Sequence, residues 1–252
     1  EMCIRDSLKV KRGDELVDFA VVRDDIPLYS VDETFMADPT TGYIRITRFA
    51  EETAKEVQQA MNKLKKQGMK NLILDVSGNG GGYLGAAFEL ASEFLPVGTP
   101  VVSTAGRRTQ PYKYVTEGQG SFLDGRLVVI ADQSSASASE ILSGALQDND
   151  RALVVGRRTF GKGLVQRPFP FPDGSMIRLT VSRYYTPSGR CIQRPYEKGH
   201  GEEYYLDMLN RYKSGELWSA DSIARPDSLK YETLRNHRPV YGLSLIHISE
   251  PT

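Results

Sequence analysis

The order of hydrophobic and polar positions divides the first third of the chain into strands and one clear helix. Residues 8–31 alternate apolar and polar side chains around a Gly13-Asp14 break, which predicts a hairpin of two strands. Residues 43–49 alternate in the same way and predict another strand. Apolar residues then recur at helical spacing from 54 to 64, and Gly68 follows as a C-terminal stop signal.

Strand–helix–strand patterns follow twice in the middle of the chain. The first comprises a strand at 71–76, a helix at 83–95 and a strand at 100–104; the second comprises a strand at 126–131, a helix at 138–146 and a strand at 152–156. Because these strands are apolar without alternation, they predict a sheet covered on both faces, and so an α/β fold. LVQRPFPF and MIRLTVSRYY around Pro172-Asp173-Gly174 predict a hairpin, and the polar residues 196–242 predict a partial segment with short helices.

Composition and charge exclude some classes of function. The 252 residues are 40% hydrophobic and 25% charged, which is typical of a globular protein. Lys plus Arg and Asp plus Glu balance at 32 each, so there is no basic field to attract nucleic acid. No run approaches the roughly 18 apolar residues of a transmembrane helix.

Both ends of the sequence are predicted to come from sequencing adapters. Residues 2–7, MCIRDS, are what ATGTGTATAAGAGACAG encodes, a transposon end used in library preparation, and 243–252, LSLIHISEPT, begin like its reverse complement. We therefore exclude residues 1–7 and 243–252 from fold reasoning. Cys3 and His247 drop out with them, and Cys191, left as the sole cysteine, cannot form an internal disulfide.

The segment SSASASEI, residues 134–141, is the first candidate for chemistry. It follows a predicted buried strand and opens a helix, where free N–H groups and the helix dipole favour a developing negative charge. Small neighbours would let a substrate carbonyl approach a serine there. The alternative is that these serines only cap the helix.

A lysine is the candidate base for such a serine. The chain has no G-x-S-x-G motif, and neither His200 nor His237 lies near a motif. Lys162 lies in TFGKGLVQ after a predicted buried strand, among apolar and glycine residues, where desolvation favours a neutral amine that accepts a proton. The alternative is a lysine in a surface turn.

Two glycine patterns in the chain resemble nucleotide-binding motifs. Gly156-x-x-x-x-Gly161-Lys162 resembles the start of a P-loop, but Gly163 stands where Ser or Thr would bind magnesium. Gly80-x-Gly82-x-x-Gly85 resembles a dinucleotide fingerprint, but no acidic residue follows at the end of the next strand. Because each pattern lacks a residue that its motif requires, neither is good evidence for nucleotide binding.

Six ordered blocks carry a family resemblance: GYIRITRF, LILDVSGNGGG, SSASASEI, QDNDRALVVGRRTFGKGLVQ, PDGSMIRLT and YYTPSGRCIQ. In this order they resemble the carboxy-terminal processing peptidases, or tail-specific proteases, of peptidase family S41. The resemblance implies a core of the Clp-protease/crotonase type at 32–195, and serine endopeptidase activity near protein C-termini without a metal or other cofactor. By the same resemblance, 8–31 look like the last strands of a PDZ domain, a module that binds peptide C-termini by strand addition.

The resemblance also implies roles for individual residues. The nucleophile would be Ser137, the general base Lys162 and the residue that orients the base Gln166. The oxyanion donors would be the N–H groups of Ala138 and of one glycine of the 80–82 turn, with Gly81 as the first candidate, and the supporting carboxylates would be Glu140 and Asp148. One departure lies in the glycine turn, where DVSGNGGG replaces the common Asp-Leu-Arg-x-Asn-Pro-Gly-Gly of the family. Ser77 and Gly80 stand for its arginine and proline, which loosens the turn.

The predicted partners are protein or peptide substrates bound through an extended C-terminal segment, without nucleic acid or metal. A homo-oligomer is compatible with the sequence. The resemblance places the full-length protein in the cell envelope, in the periplasm. A peptide-binding relative of the same fold without catalytic activity is the alternative function, although serine, lysine and glutamine are all present at the expected positions.

Overall fold

The structure is a computed structural model that describes residues 5–22, 28–196, 199, 201–219, 222–223 and 226–245. Its strands are β1 (Arg5–Arg12), β2 (Glu15–Val22), β3 (Val31–Met36), β4 (Thr41–Ile46), β5 (Asn71–Asp75), β6 (Pro100–Gly106), β7 (Thr109–Val115), β8 (Leu127–Ala131), β9 (Leu153–Gly156), β10 (Leu164–Pro170), β11 (Met176–Tyr185), β12 (Lys230–Glu232) and β13 (Pro239–Tyr241). Its helices are α1 (Thr53–Lys66), α2 (Leu84–Ser92), α3 (Ala138–Asp148) and α4 (Gly201–Lys213), with a 3₁₀ turn at Asp227–Leu229.

The central sheet has five strands in the order β3-β4-β5-β8-β9. Strands β4, β5, β8 and β9 are parallel, and β3 pairs antiparallel with β4 at the edge. Helices α1, α2 and α3 contribute to the same hydrophobic core as these strands. The predicted α/β class is confirmed. The apolar runs at 71–76, 126–131 and 152–156 form the parallel strands β5, β8 and β9.

Helix α1 shows how the apolar stripe places a helix on this sheet. Val57, Met61 and Leu64 are fully buried, at the i, i+4 and i+7 spacing of one helix face. The helix ends at Lys66, and Gly68 adopts a positive φ of 101° just after it. This is the conformation that favours glycine after a helix C-terminus.

Helix α3 is buried along its whole length. All 11 of its residues are inaccessible, including the charged Glu140 and Asp148. Small side chains allow this close packing; a Cβ added to Gly144 would lie 2.9 Å from Cγ2 of Thr186. Because water does not reach this helix, each polar group on it needs a partner within the protein.

A second sheet has the order β10-β11-β6-β7 and is antiparallel. Residues 100–104 form a strand as predicted, but β6 pairs with β11 and β7 and does not lie beside β5. The chain turns back after Gly106 into β7, which the sequence analysis did not identify. Between β5 and β8 of the central sheet, the chain therefore contributes two strands, β6 and β7, to the second sheet.

The two ends of the described chain form smaller units. Strands β1 and β2 make a separate two-stranded sheet with Gly13 at a φ of 64°, which confirms the predicted hairpin; its origin in a PDZ domain stays a prediction. The region after 196, predicted to contain short helices, contains the 13-residue α4, the 3₁₀ turn at Asp227–Leu229 and the β12–β13 pair.

The adapter predictions fall largely outside the described residues, which exclude 1–4 and 246–252, and with them Cys3 and His247. Leu245 is described and buried, and its N–H donates to Oγ1 of Thr159 at 2.8 Å. An adapter origin for both ends stays a prediction. None of the described helices has the length and apolar character needed to cross a membrane.

Candidate active site

Three loops converge at one edge of the central sheet. Strands β5, β8 and β9 are neighbours and run parallel, so their carboxyl ends lie side by side. The loop after β5 carries the glycine turn, the loop after β8 carries Ser137, and the loop after β9 carries Lys162. This edge is where open α/β sheets bind their ligands.

Ser137 occupies a sharp turn between β8 and α3. Its φ is 57° and its ψ −111°, an uncommon conformation for a residue with a side chain. The preceding loop is held by Asp132, whose Oδ1 accepts the N–H groups of Ser134 at 2.9 Å, Ser135 at 3.0 Å and, from the glycine loop, Gly78 at 2.9 Å. These contacts keep Ser137 in its strained conformation at the start of the helix.

The glycine turn packs directly on Ser137. A Cβ added to Gly81 would lie 2.8 Å from Cβ of Ser137 and 2.9 Å from N of Ala138, and Gly81 has a φ of 99°. Both the conformation and the close approach require glycine at this position.

Asn79 ties this turn to its surroundings. Its Oδ1 accepts the Gly81 N–H at 2.8 Å, and its Nδ2 donates to the carbonyl of Ile46 at 2.8 Å. Its own carbonyl accepts from Ala136 N–H at 3.0 Å and Ser139 Oγ at 2.9 Å. The N–H of Gly81, one of the two predicted oxyanion donors, is therefore engaged by the Asn79 side chain.

Three backbone N–H groups around Ser137, those of Ala138, Gly80 and Gly82, have no hydrogen-bond partner among the described residues. The carbonyl of Gly81 accepts from the Phe49 N–H at 3.1 Å. Since the N–H and C=O of a trans peptide point in opposite directions, the Gly82 N–H points away from Phe49. Gly82 and Ser137 both line the same cleft.

Glu140, predicted as a supporting residue, joins the serine and lysine loops. Its Oε2 accepts the N–H groups of Ser137 and Lys162, both at 2.9 Å. Its Oε1 accepts Gly161 N–H at 2.7 Å and Thr159 Oγ1 at 2.6 Å. Burial raises the pKa of the Glu140 carboxyl above its ordinary value, and these four hydrogen bonds oppose that rise. One buried carboxyl thus fixes the backbone of both candidate catalytic residues.

The side chains of Ser137, Lys162 and Gln166 line one cleft of about 610 Å³. Gly80–Tyr83 form one wall, and one face of the β10–β11 hairpin forms the other. Ser137 and Lys162 are half-buried and Gln166 is exposed; among the described residues these three side chains form no hydrogen bonds with one another. Catalytic hydrogen bonds often tighten only when substrate is bound.

Asp148, the other predicted supporting residue, lies at the far end of α3. Ten residues separate it from Ala138, which corresponds to about 15 Å along the helix. Its carboxylate forms an ion pair with Arg190, and both side chains are buried. Oδ2 also accepts from Ser188 N–H at 3.0 Å and Ser188 Oγ at 2.6 Å. Asp148 therefore anchors the segment around Ser188 and does not line the cleft.

The C-terminal region braces the lysine loop, which the sequence analysis did not anticipate. Arg211 of α4 donates to the carbonyls of Thr159, at 3.2 Å, and Arg158. Glu216 pairs with Arg158 and Arg211, each at 2.7 Å. Although burial alone would raise it, these guanidinium groups hold the pKa of the Glu216 carboxyl below its usual range. No local pattern signals these contacts.

A sequence model of peptidase family S41 matches residues 40–199, which is more than half of the chain and includes all three loops. The chain belongs to peptidase family S41. The predicted family is confirmed, and with it the expected type of core.

Relatives and solved structures agree with this assignment. The chain is 43% identical over 155 residues to a carboxyl-terminal-processing protease of Synechocystis, covering 62% of this chain and 36% of the relative. It is 33% identical over 217 residues to the carboxy-terminal processing protease CtpA of Bacillus subtilis, covering 83% and 46%. The structure of a photosystem II D1 C-terminal processing protease matches with a TM-score of 0.60 and 34% identity, covering 71% and 49%. The chain thus spans about a third to a half of the length of these relatives.

Proposed function

We propose that this chain carries the catalytic centre of a serine endopeptidase that cleaves proteins near their C-termini with a Ser137–Lys162 dyad. The observation that carries the proposal is the Glu140 carboxyl, which holds the backbone N–H groups of Ser137 and Lys162 at the same 2.9 Å. It fixes the backbone of a serine in a strained turn and of a lysine that lines the same cleft. The names of the relatives supply the preference for C-termini.

The chemistry proceeds in two stages. Neutral Lys162 accepts the proton of the Ser137 hydroxyl while Oγ attacks the carbonyl carbon of the scissile peptide. The peptide C–N bond breaks, the leaving amine takes the proton from Lys162, and an acyl-enzyme ester remains on Ser137. Lys162 then accepts a proton from water, which attacks the ester, and the proton returns to Ser137.

The oxyanion of each stage is bound by backbone N–H groups. Ala138 supplies one at the N-terminus of α3, where the helix dipole adds to the stabilisation. We assign the second to Gly82 in place of Gly81, because the Gly81 N–H is bonded to Asn79, whereas the Gly82 N–H is free among the described groups and directly follows the residue that packs on Ser137. Gln166 lies in the cleft, where it orients the Lys162 amine once substrate is bound.

The substrates are proteins that enter the cleft as an extended C-terminal segment. A PDZ domain of which β1 and β2 are the end, a location in the cell envelope and assembly into a homo-oligomer complete this proposal for the longer protein. They rest on the family resemblance alone.

The proposal is tested by incubating the 252-residue chain with an unfolded protein that has an apolar C-terminus and following intact mass. We expect Ser137→Ala and Lys162→Ala each to lower the cleavage rate by about 10⁴- to 10⁶-fold, the range seen when one member of a catalytic unit is removed. Ser134→Ala, in the same loop, and Lys113→Ala, on exposed β7, serve as matched controls and should retain activity.

Labelling by a fluorophosphonate gives a second measurement that does not depend on the substrate. The label should be found on Ser137 and should require Lys162, with circular dichroism unchanged in the variants. Cleavage that survives Lys162→Ala would place the base elsewhere. Peptide binding without cleavage or labelling in any version would support the alternative of an inactive peptide-binding protein.

A further inference from the structure

The hairpin of β10 and β11 presents one of its two faces to the candidate active site. The hairpin residues that line the cleft are Leu164, Gln166, Pro168, Met176, Arg178 and Tyr184. Beyond the register shift between Val165 and Gln166, side chains alternate, so Gln166, Pro168 and its cross-strand partner Arg178 share one face. On the opposite face, Arg167 lines a different cavity together with Leu84 and Tyr112. The hairpin therefore places Gln166 and Arg178 on the same surface, in front of Ser137.

Arg178 brings a positive charge to this cleft without a partner of its own. It pairs across the hairpin with Pro168, two residues beyond Gln166 and so about 7 Å farther along the strand. Among the described residues it forms no ion pair, and none of the residues that line the cleft is Asp or Glu. Arg178 is exposed, so its side chain is accessible to a ligand in the cleft.

Lys162 is the other basic side chain that lines the cleft, but the proposed mechanism uses its amine in the neutral form as the base. Arg178 is therefore the candidate for binding an anionic group. Pro168, which faces Arg178 across the strands, has no N–H to offer a ligand. A guanidinium presents two parallel N–H donors that match the two oxygens of a carboxylate, and such pairs are stronger and more directional than neutral hydrogen bonds.

We propose that Arg178 forms a carboxylate-binding subsite of the cleft, which holds an anionic group of the bound peptide about two residues from the bond being cleaved. The inference rests on the proposed function, since it requires a peptide extended through the cleft past Ser137 and Gln166. The carboxylate is either the C-terminal α-carboxylate of the substrate or the side chain of an Asp or Glu.

The test uses one peptide cleaved in the protein digest, prepared in four forms. The first has a free C-terminal carboxylate and no acidic residue, the second is amidated, and the third and fourth are amidated and carry Glu or Gln two residues from the scissile bond. Cleavage efficiency, kcat/KM, is measured with the wild-type chain, and binding by fluorescence anisotropy with Ser137→Ala. If no peptide is cleaved, binding is measured with a labelled peptide that has apolar C-terminal residues.

Each measurement is repeated in Arg178→Gln, Arg178→Lys and the matched control Arg167→Gln, which removes the same charge from the opposite face of the hairpin. We expect carboxylate forms to exceed their neutral counterparts by about tenfold, as for a charge-assisted hydrogen bond in a partly solvated site. The preference should vanish in Arg178→Gln, shrink in Arg178→Lys, persist in Arg167→Gln and weaken at high salt. A preference for the free C-terminus over the amide would identify the α-carboxylate as the ligand, and a preference for Glu over Gln would identify a side-chain carboxylate.

The inference is overturned if the wild type shows no preference for the carboxylate forms, or if Arg178→Gln keeps that preference. It is also overturned if Arg178→Gln and Arg167→Gln lose the preference equally, because the carboxylate would then respond to the overall positive charge of the hairpin and not to Arg178. These outcomes are separate from the fate of the dyad. Cleavage of the amidated form that depends on Ser137 and Lys162 would uphold the protease even if the subsite fails. A preference in binding without any cleavage would uphold the subsite and reject the protease.

Discussion

Helix α3 carries two buried carboxyl groups that are satisfied in different ways. Glu140, in the first turn, accepts four hydrogen bonds from three backbone N–H groups and one hydroxyl, all of them uncharged. Asp148, at the last position, is paired with the buried guanidinium of Arg190. The cost of burying a carboxyl group is therefore offset by neutral hydrogen-bond donors at one end of the helix and by an ion pair at the other.

The helix itself explains much of this difference. The N-terminal end carries a partial positive charge that favours a carboxylate, whereas the C-terminal end carries a partial negative charge that disfavours one. Asp148 therefore needs a cation, and Glu140 does not. An arginine paired with Glu140, as Arg190 is with Asp148, would also place a positive charge among the hydrogen bonds that join Glu140 to Ser137 and Lys162. The comparison teaches that the end of α3 near the cleft is held by dipoles and the far end by an ion pair.

The largest expected effect comes from breaking the ion pair at the far end. Asp148→Ala leaves the Arg190 guanidinium buried without a counter-charge, which should lower the free energy of unfolding by about 3 to 5 kcal/mol. Urea unfolding measures the loss. Replacing both partners, as Asp148→Ala with Arg190→Met, should recover much of it, because no buried charge then remains. If the double variant is as unstable as the single one, the pair is not the main contribution of Asp148.

A smaller loss of stability with a larger loss of activity is expected at the other end. Glu140→Gln replaces one acceptor oxygen by an NH₂ group, so two of the four donors lose their acceptor, at about 2 to 4 kcal/mol in total. Displacement of the Ser137 or Lys162 backbone by about 1 Å should lower kcat about 100-fold. Glu117→Gln, on the surface, is the matched control. Full activity in Glu140→Gln would show that the carboxylate does not position the dyad.

The smallest effect is a difference in pH dependence between the wild type and Glu140→Gln. Because burial raises the pKa of Glu140 in the fold, the folded state binds more protons than the unfolded chain above pH 4.5. The stability that Glu140 contributes should therefore decrease as the pH rises from 4.5 through the folded pKa. Urea unfolding of both proteins across this range measures it. A contribution that grows with pH would mean that the four donors outweigh burial.

Much of the fold was predictable from the sequence because the relevant signals are local. Apolar runs identified the parallel strands β5, β8 and β9, the periodic stripe identified α1, and turn residues identified the β10–β11 hairpin. These patterns depend on neighbours within a few positions along the chain, where side-chain direction follows directly from the period of the element. The strand β7 was missed because its sequence lacks a clear period, and α4 was predicted only as part of a segment with short helices.

The candidate site was only partly predictable. Ser137 and Lys162 were identified as candidates because each follows an apolar strand in a short loop of small residues, and the family resemblance joined them. Sequence patterns did not show that Asn79 would take the Gly81 N–H, a bond that shifts the proposed oxyanion donor to Gly82. That bond depends on how the turn folds against Ile46 and Ser139, which lie 33 and 60 residues away.

The sequence by itself thus determined the types of most elements, the family and the pair of residues proposed for catalysis. Only the tertiary structure decided that Glu140 holds both residues of that pair, that Arg178 faces the cleft while Arg167 does not, and that β6 belongs to the second sheet. The physical reason is sequence separation. A contact such as that between Arg158 and Glu216, 58 residues apart, forms only when packing brings distant segments together, and no local pattern records it.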